Sequence, residues 1–289
     1  MRQSRCNRSS ESIAGPNARS ESEGPGVKVA VFPCYHHPET DEITPVRRVF
    51  LLFITAIILT AVACGAYLAY DRSMTPFSPP SLADYPIQGI DISHHQGDID
   101  WSRLKSQPNI RFAIMKATEG GDHRDRKFAE NWQAAKQTGI VRGAYHFFTF
   151  CRPGAEQADN VIATIPAEAD ALPLALDLEF TGNCGKVPTL DELSAEIAAF
   201  YTRLDGRYPG QPVFYMSESF FEQYFKGNET RFPPHTLWIR NIGQQPDCQN
   251  WSIWQFADDG RVEGIKGSVD LNALCPGSAL EPYFMRPVS

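Results

Sequence analysis

Between Gln88 and Leu271 the hydrophobic period of the sequence switches repeatedly, and this constrains the fold more than any other feature. Stretches with a two-residue alternation, Gln88–Ser93, Arg111–Thr118, Val141–Phe148, Leu172–Phe180 and Pro212–Met216, are each followed by a stretch with helical spacing. The spacing predicts helices over Asp98–Leu104, Phe128–Thr138, Ala155–Thr164, Thr189–Gly206 and Ser219–Phe225. Phe128, Trp132 and Ala135 share a face of the second helix, which Gly139 stops. The fourth opens on a Thr-Leu-Asp-Glu capping box at Thr189. Three more strands follow, Thr236–Asn241, Ser252–Ala257 and Ser268–Leu271, with no amphipathic helix between them. Eight strands close a barrel that side chains can fill. The expected fold is therefore α/β, a modified TIM-like barrel of eight strands and five helices, (β/α)5(β)3. An open doubly wound sheet fits less well, because nothing would cover one face of the last three strands.

In such a barrel chemistry collects at the C-terminal strand ends. In the fourth strand Leu174, Leu176, Leu178 and Phe180 share one face, suited to packing under helices. Ala175, Asp177 and Glu179 take the other. Two acids on a buried strand are costly unless solvated, paired or used. The first strand ends with Asp91, the second with Lys116 and Glu119, and the third with Tyr145 and His146. The fifth offers Tyr215, the sixth Arg240, the seventh Trp254 and Gln255, and the eighth Asp270. One strand-end acid that reaches water is ordinary. Four carboxylates at one rim repel one another, a cost that implies a use.

Val49–Tyr70 is a run of 22 residues without a charge, long enough to span a bilayer. Arg47 and Arg48 precede it, which puts the N-terminus inside and everything after residue 72 outside. The expected organisation is a disordered cytoplasmic tail over 1–48, a transmembrane signal anchor or signal peptide over 49–70, and a proline- and serine-rich linker over 71–86. A catalytic barrel over 87–280 and a C-terminal tail over 281–289 follow. The domain would sit in the periplasm or outside the cell, on the inner membrane, or be secreted if the segment is cleaved. Residues 1–72 carry 8 Lys and Arg against 7 Asp and Glu, and residues 73–289 carry 19 against 27. An acidic exported part without a basic stripe argues against nucleic acid as a partner.

Cys151, Cys184, Cys248 and Cys275 all lie in the exported part, where an even count suggests disulfides. Of three possible pairings, Cys151–Cys184 and Cys248–Cys275 are expected, since each would join loops after neighbouring strands. No Cys-x-x-Cys or close Cys/His spacing supports zinc, and no metal or other cofactor is expected.

With GIDISHHQGDIDW, KATEGG, GAYHFF, LALDLE, VFYMS, LWIR, WSIWQF and VDLN in this order, residues 89–274 resemble a glycoside hydrolase family 25 lysozyme, an N-acetylmuramidase of the Chalaropsis type. The resemblance implies the eight-stranded, five-helix barrel and hydrolysis of the β-1,4 bond between N-acetylmuramic acid and N-acetylglucosamine in peptidoglycan. That bond needs a proton on the leaving oxygen and stabilisation of an oxocarbenium-like charge. Glu179 is then the expected general acid. Asp177 would stay ionised, acting through the substrate's N-acetyl group or as a covalent nucleophile. Asp91 and Asp270 match two further active-site aspartates. Tyr145, Tyr215, Trp238 and Trp254 are candidates for stacking on sugars, and Lys116, Glu119, His146, Arg240 and Gln255 for binding hydroxyls. A catalytically dead glycan-binding barrel, a metal-dependent polysaccharide deacetylase and an amidase or transferase on the same polymer are the rival readings. A monomer tethered to its own envelope is expected.

Overall fold

The structure, a computed structural model, describes residues 45–74, 79–208, 210–246 and 251–284. The chain divides into two units, Met1–Ser73 and Met74–Ser289. In the first, helix α1 (Pro45–Met74) contains the uncharged run. Its Pro45–Leu68 part, with a mean hydropathy of 2.6, is long and apolar enough to cross a membrane. Thr55 and Thr60 return their hydroxyls to the carbonyls of Leu51 and Ala56, so neither asks for water. Of the expected tail over residues 1–48, residues 45–48 belong to α1, and the rest lies outside the described residues.

The second unit contains a closed barrel. Its elements in chain order are β1 (Gln88–Ile92), α2 (Trp101–Ser106), β2 (Ile110–Glu119), the two-residue β3 (His123–Arg124), α3 (Phe128–Thr138) and β4 (Val141–Phe147). Then come α4 (Gly154–Thr164), β5 (Ala175–Asp177), α5 (Leu190–Leu204), β6 (Val213–Ser217), α6 (Glu218–Phe220), β7 (Thr236–Arg240), β8 (Ile253–Gly260) and β9 (Val269–Leu274). A π-helical turn over Phe221–Phe225 prolongs α6. The strand order is β1-β9-β8-β7-β6-β5-β4-β2-β3, and β1 also pairs with β2, which closes the ring. The short β3 is antiparallel to β2; the other neighbours from β1 through β8 run parallel, whereas β9 is antiparallel to both β8 and β1. This is the expected (β/α)5(β)3 barrel, and it is an α/β fold.

Local sequence accounts for the helix limits. Thr189 accepts from the Glu192 N–H while the Glu192 carboxylate accepts from the Thr189 N–H, and α5 begins there. Gly139, at φ 71°, ends α3 in the left-handed conformation. Alternate strand residues enter two apolar clusters. Phe112, Ile114, Ala175, Val213, Trp238, Ile253 and Leu274 fill the barrel lumen. Met115, Leu174, Leu176, Leu178, Phe214, Met216 and Trp254 pack outward with the helices. At about 25 cal/mol per Å² of apolar area these two layers supply the main folding drive.

Both expected edges of the domain move. Tyr85, expected in the linker, is buried in the outer cluster and accepts a hydrogen bond from Gln245 at 2.7 Å. Leu280, Tyr283 and Phe284, around the expected start of the tail, join the lumen cluster, with the Phe284 ring 5.7 Å from Phe112. Phe284 and its neighbours close the lumen at the end without chemistry, where apolar side chains are the cheapest stopper.

Candidate active site

Strand alternation carries Asp91, Lys116, Tyr145, Asp177, Tyr215, Arg240, Gln255 and Asp270 onto the lumen side, with outward residues between them. Asp270 arrives there for a reason opposite to the one expected. It lies at the start of β9, not at a C-terminal end, and the antiparallel run of β9 brings that start to the rim. Asp91 and Asp270 are register partners across the β1–β9 seam.

Asp91 is held on several sides. Its Oδ2 accepts from Gln255 Nε2 at 2.9 Å and from Asn272 Nδ2 at 2.7 Å. Gln255 Oε1 in turn accepts from the Tyr215 hydroxyl at 3.0 Å, and Asn272 Oδ1 from the Trp238 indole at 2.8 Å. The Asp270 carboxyl hydrogen-bonds Asp91 as well. Burial first, then the Asp91 charge, pushes Asp270 up to about 9, so Asp270 carries the proton and Asp91 the charge. Burial also raises Asp91, against the pull of its three hydrogen bonds.

Asp177 and Glu179 contrast with this pair. Asp177 is buried at the end of β5, and its Oδ1 has no hydrogen-bond partner among the described residues. Burial, followed by the charge of Glu179, raises its pKa well above the ordinary carboxylate value. Glu179 lies two residues past Asp177 and is partly exposed. Burial raises it too, opposed by Arg240 and Lys116 and reinforced by Asp91. In the free site burial therefore favours a proton on Asp177, against the expectation that this residue stays ionised.

Two cations flank the acids. A register shift between Lys116 and Thr118 turns Thr118 outward and brings Lys116 and Glu119 together, with Nζ 2.7 Å from Oε2. The Lys116 ammonium also sits 4.9 Å above the Phe147 ring. Arg240 pairs with Asp258 at 2.7 Å.

Two expected sugar contacts, His146 and Trp254, do not reach the lumen, and a third, Trp238, is buried beneath it. His146 points outward and is fully buried, between Thr118 (2.8 Å from Nδ1) and Gln157 (3.1 Å from Nε2), and stacks on Phe200. Burial lowers its pKa to about 4, so it is a neutral structural histidine. Trp254 neighbours Gln255 in the same strand, so the two cannot share a face. Its ring lies in the outer cluster, with the indole donating to the Asn241 carbonyl at 2.8 Å. Trp238 does face inward, but as the buried floor, its ring 4.7 Å from Tyr215. Tyr215 is tied to Gln255, and Tyr145 is partly exposed at the rim. Burial followed by the Asp177 charge holds both phenols well above their ordinary pKa. Sequence reasoning missed the Asn272 side chain, though its position two residues after Asp270 was signal enough.

Cys151 and Cys184 are disulfide-bonded, and the bridge joins the loops after β4 and β5. Cys275 is also disulfide-bonded, whereas Cys248 and the second expected pairing lie outside the described residues. Among the described residues no group of three His, Cys, Asp or Glu side chains could hold a metal ion. A cavity of about 770 Å³ lined by Phe221, His235 and Trp251 opens at the starts of β7 and β8, away from all four carboxylates.

The sequence model of the family described as Glycosyl hydrolases family 25 matches residues 90–265. The chain belongs to that family. It is a glycoside hydrolase, and the four acids lie at the rim of a family 25 barrel. Among its relatives is the uncharacterised protein YegX of Escherichia coli O6:H1, 33% identical over 224 residues that cover 74% of this chain and 80% of YegX. The N,O-diacetylmuramidase of Chalaropsis sp is 34% identical, over 66% of this chain and all of that enzyme. Among solved structures, a family 25 glycosyl hydrolase from Bacillus anthracis superposes with a TM-score of 0.64 at 31% identity, over 73% of this chain and 97% of that one.

Proposed function

We propose that this family 25 enzyme is a lysozyme that hydrolyses the β-1,4 bond between N-acetylmuramic acid and N-acetylglucosamine in peptidoglycan, with Glu179 as the general acid. The observation that carries the assignment is the buried Asp177 Oδ1, which lacks a donor among the described residues. An unsatisfied buried carboxylate oxygen is unfavourable. The 2-acetamido N–H of a bound sugar would supply the missing donor. That bond favours the ionised form of Asp177 and leaves the pair's proton on Glu179, beside the leaving oxygen. Asp177 then orients the acetamido carbonyl for attack on the anomeric carbon as the Glu179 proton reaches the departing sugar. Asp91, fixed by Gln255, Asn272 and Asp270, keeps a negative charge facing the developing oxocarbenium. Tyr145, Lys116, Glu119 and Arg240 are left as the sugar contacts. Full-length protein in detergent, incubated with purified peptidoglycan, should release fragments whose reducing end is N-acetylmuramic acid by mass spectrometry. Fragments lacking only acetyl groups or peptides, or no cleavage at all, would point instead to a deacetylase, an amidase or an inert glycan binder.

We also infer that α1 is a signal anchor that holds the barrel on the outer side of the inner membrane, close to its polymer. The length of Pro45–Leu68 and the arginines before Val49 support this. N-terminal sequencing of the mature protein and protease accessibility in spheroplasts test it: an intact N-terminus with an externally digestible barrel is expected, and a start near residue 64 would indicate a cleaved signal.

A further inference from the structure

Glu179 has no side-chain hydrogen bond or ion pair among the described residues, and it lies beyond Asp177, the last ladder residue of β5. Its position therefore depends on how its backbone is held. The Glu179 carbonyl accepts a hydrogen bond from Nδ2 of Asn183 at 2.9 Å. The same Nδ2 donates to the Phe148 carbonyl at 2.9 Å, just past β4. Asn183 Oδ1 accepts from the Phe150 N–H at 3.0 Å and the Cys184 N–H at 2.9 Å. One amide thus spends both donors and its acceptor on the two loops that flank the acid. It is delivered by a tight turn, closed by the Asn183 N–H on the Phe180 carbonyl at 3.1 Å, with Gly182 at φ 77°. A Cβ on Gly182 would meet only Phe147 Cζ, at 3.9 Å, so glycine serves the turn's left-handed backbone and not its space.

We infer that Asn183 is a positioning residue for Glu179. It fixes the acid's backbone against Phe148 and hence against Asp177, and it acts on the reaction only through Glu179. This rests on the reading of Glu179 as the general acid. Proton transfer needs the acid within about 3 Å of its target oxygen, and a displacement of about 1 Å can cost about 100-fold in rate.

The test uses full-length protein in detergent and a soluble glycan oligomer of peptidoglycan, with Asn183→Ala, Asn183→Asp and Glu179→Gln compared. Asn183→Asp keeps the two accepted bonds and loses the two donated ones, so it decides the matter if Asn183→Ala does not fold. The expected result is a fall in kcat of about 10- to 100-fold, a KM within about threefold of the parent's, and a displaced alkaline limb in the pH profile of kcat. The inference is overturned by a folded variant whose kcat stays within about twofold of the parent's. It is also overturned by a loss of activity that only follows the loss of folded protein, with the pH profile unmoved. Glu179→Gln separates the two failures. Full activity there removes the acid assignment itself, whereas an inactive Glu179→Gln beside unaffected Asn183 variants removes only the positioning role.

Discussion

The barrel rim holds two pairs of carboxylates in opposite states of completion. Asp91 and Asp270 face each other across the seam with their needs met: Gln255 and Asn272 donate, and Asp270 carries a proton to Asp91. Among the described residues Asp177 and Glu179 are left wanting, one with a bare buried oxygen and the other with no partner for its side chain. A protein invests hydrogen bonds where a charge must stay fixed. It withholds them where a charge must move or a ligand must dock. The first pair is therefore structural in its energetics although it lies in the site, and the second is maintained at a cost to stability.

Variants should pull the two pairs apart. Glu179→Gln, which removes the transferable proton, should lower kcat by about 10²- to 10⁴-fold with little change in Tm, measured by release of reducing ends and by thermal melting. Asp91→Asn turns an acceptor of two amide donors into a group that can oppose them. It should destabilise the fold by about 1–3 kcal/mol, seen as a lower midpoint in denaturant. Asp177→Asn should have the opposite sign in the same assay, neutral or slightly stabilising, because it removes a buried carboxylate whose Oδ1 has no partner among the described residues. A destabilised Asp177→Asn beside a tolerated Asp91→Asn would break the comparison.

Next in size comes a pH effect. Asp270 titrates at about 9 when folded and at the ordinary 3.8 when unfolded, so the folded state binds its proton more tightly. Its contribution to stability is complete below pH 3.8 and is lost as pH rises through about 9. Tm should therefore fall more steeply between these limits in the parent than in Asp270→Asn, and parallel curves would remove Asp270 as the cause. The smallest effect is expected from Tyr215→Phe, which frees one acceptor of Gln255 at a cost of about 1 kcal/mol and should leave kcat within a few-fold.

The barrel was legible because its determinants are local. Period-two runs, the Thr189–Glu192 capping box and the Gly139 stop all act within a few residues, and they specify the strands and helices without reference to distant partners. The rim acids were legible for the same reason. What a strand end does next was not. The bulge at Lys116–Thr118 reverses which residues face inward, and nothing in KATEGG announces it. Strict alternation would have shown that Trp254 and Gln255 cannot both face the lumen, and that Tyr145 and His146 cannot either. Each of those pairs mixes one lumen residue with one that packs against the helices. Asn183 was invisible, because its meaning lies in carbonyls and N–H groups from another loop, and those carry no residue identity.

The reversed last strand has a consequence for how the enzyme comes into being. Asp91 meets Asn272 across a sequence separation of 181, so the first and last strands enter the site together. A nascent chain emerging N-terminus first lacks Asp270, Asn272 and the closing ladder until β9 has been made. Hydrolytic competence is thus gated by completion of the ring. Any truncation before Val269 should therefore be inactive on peptidoglycan.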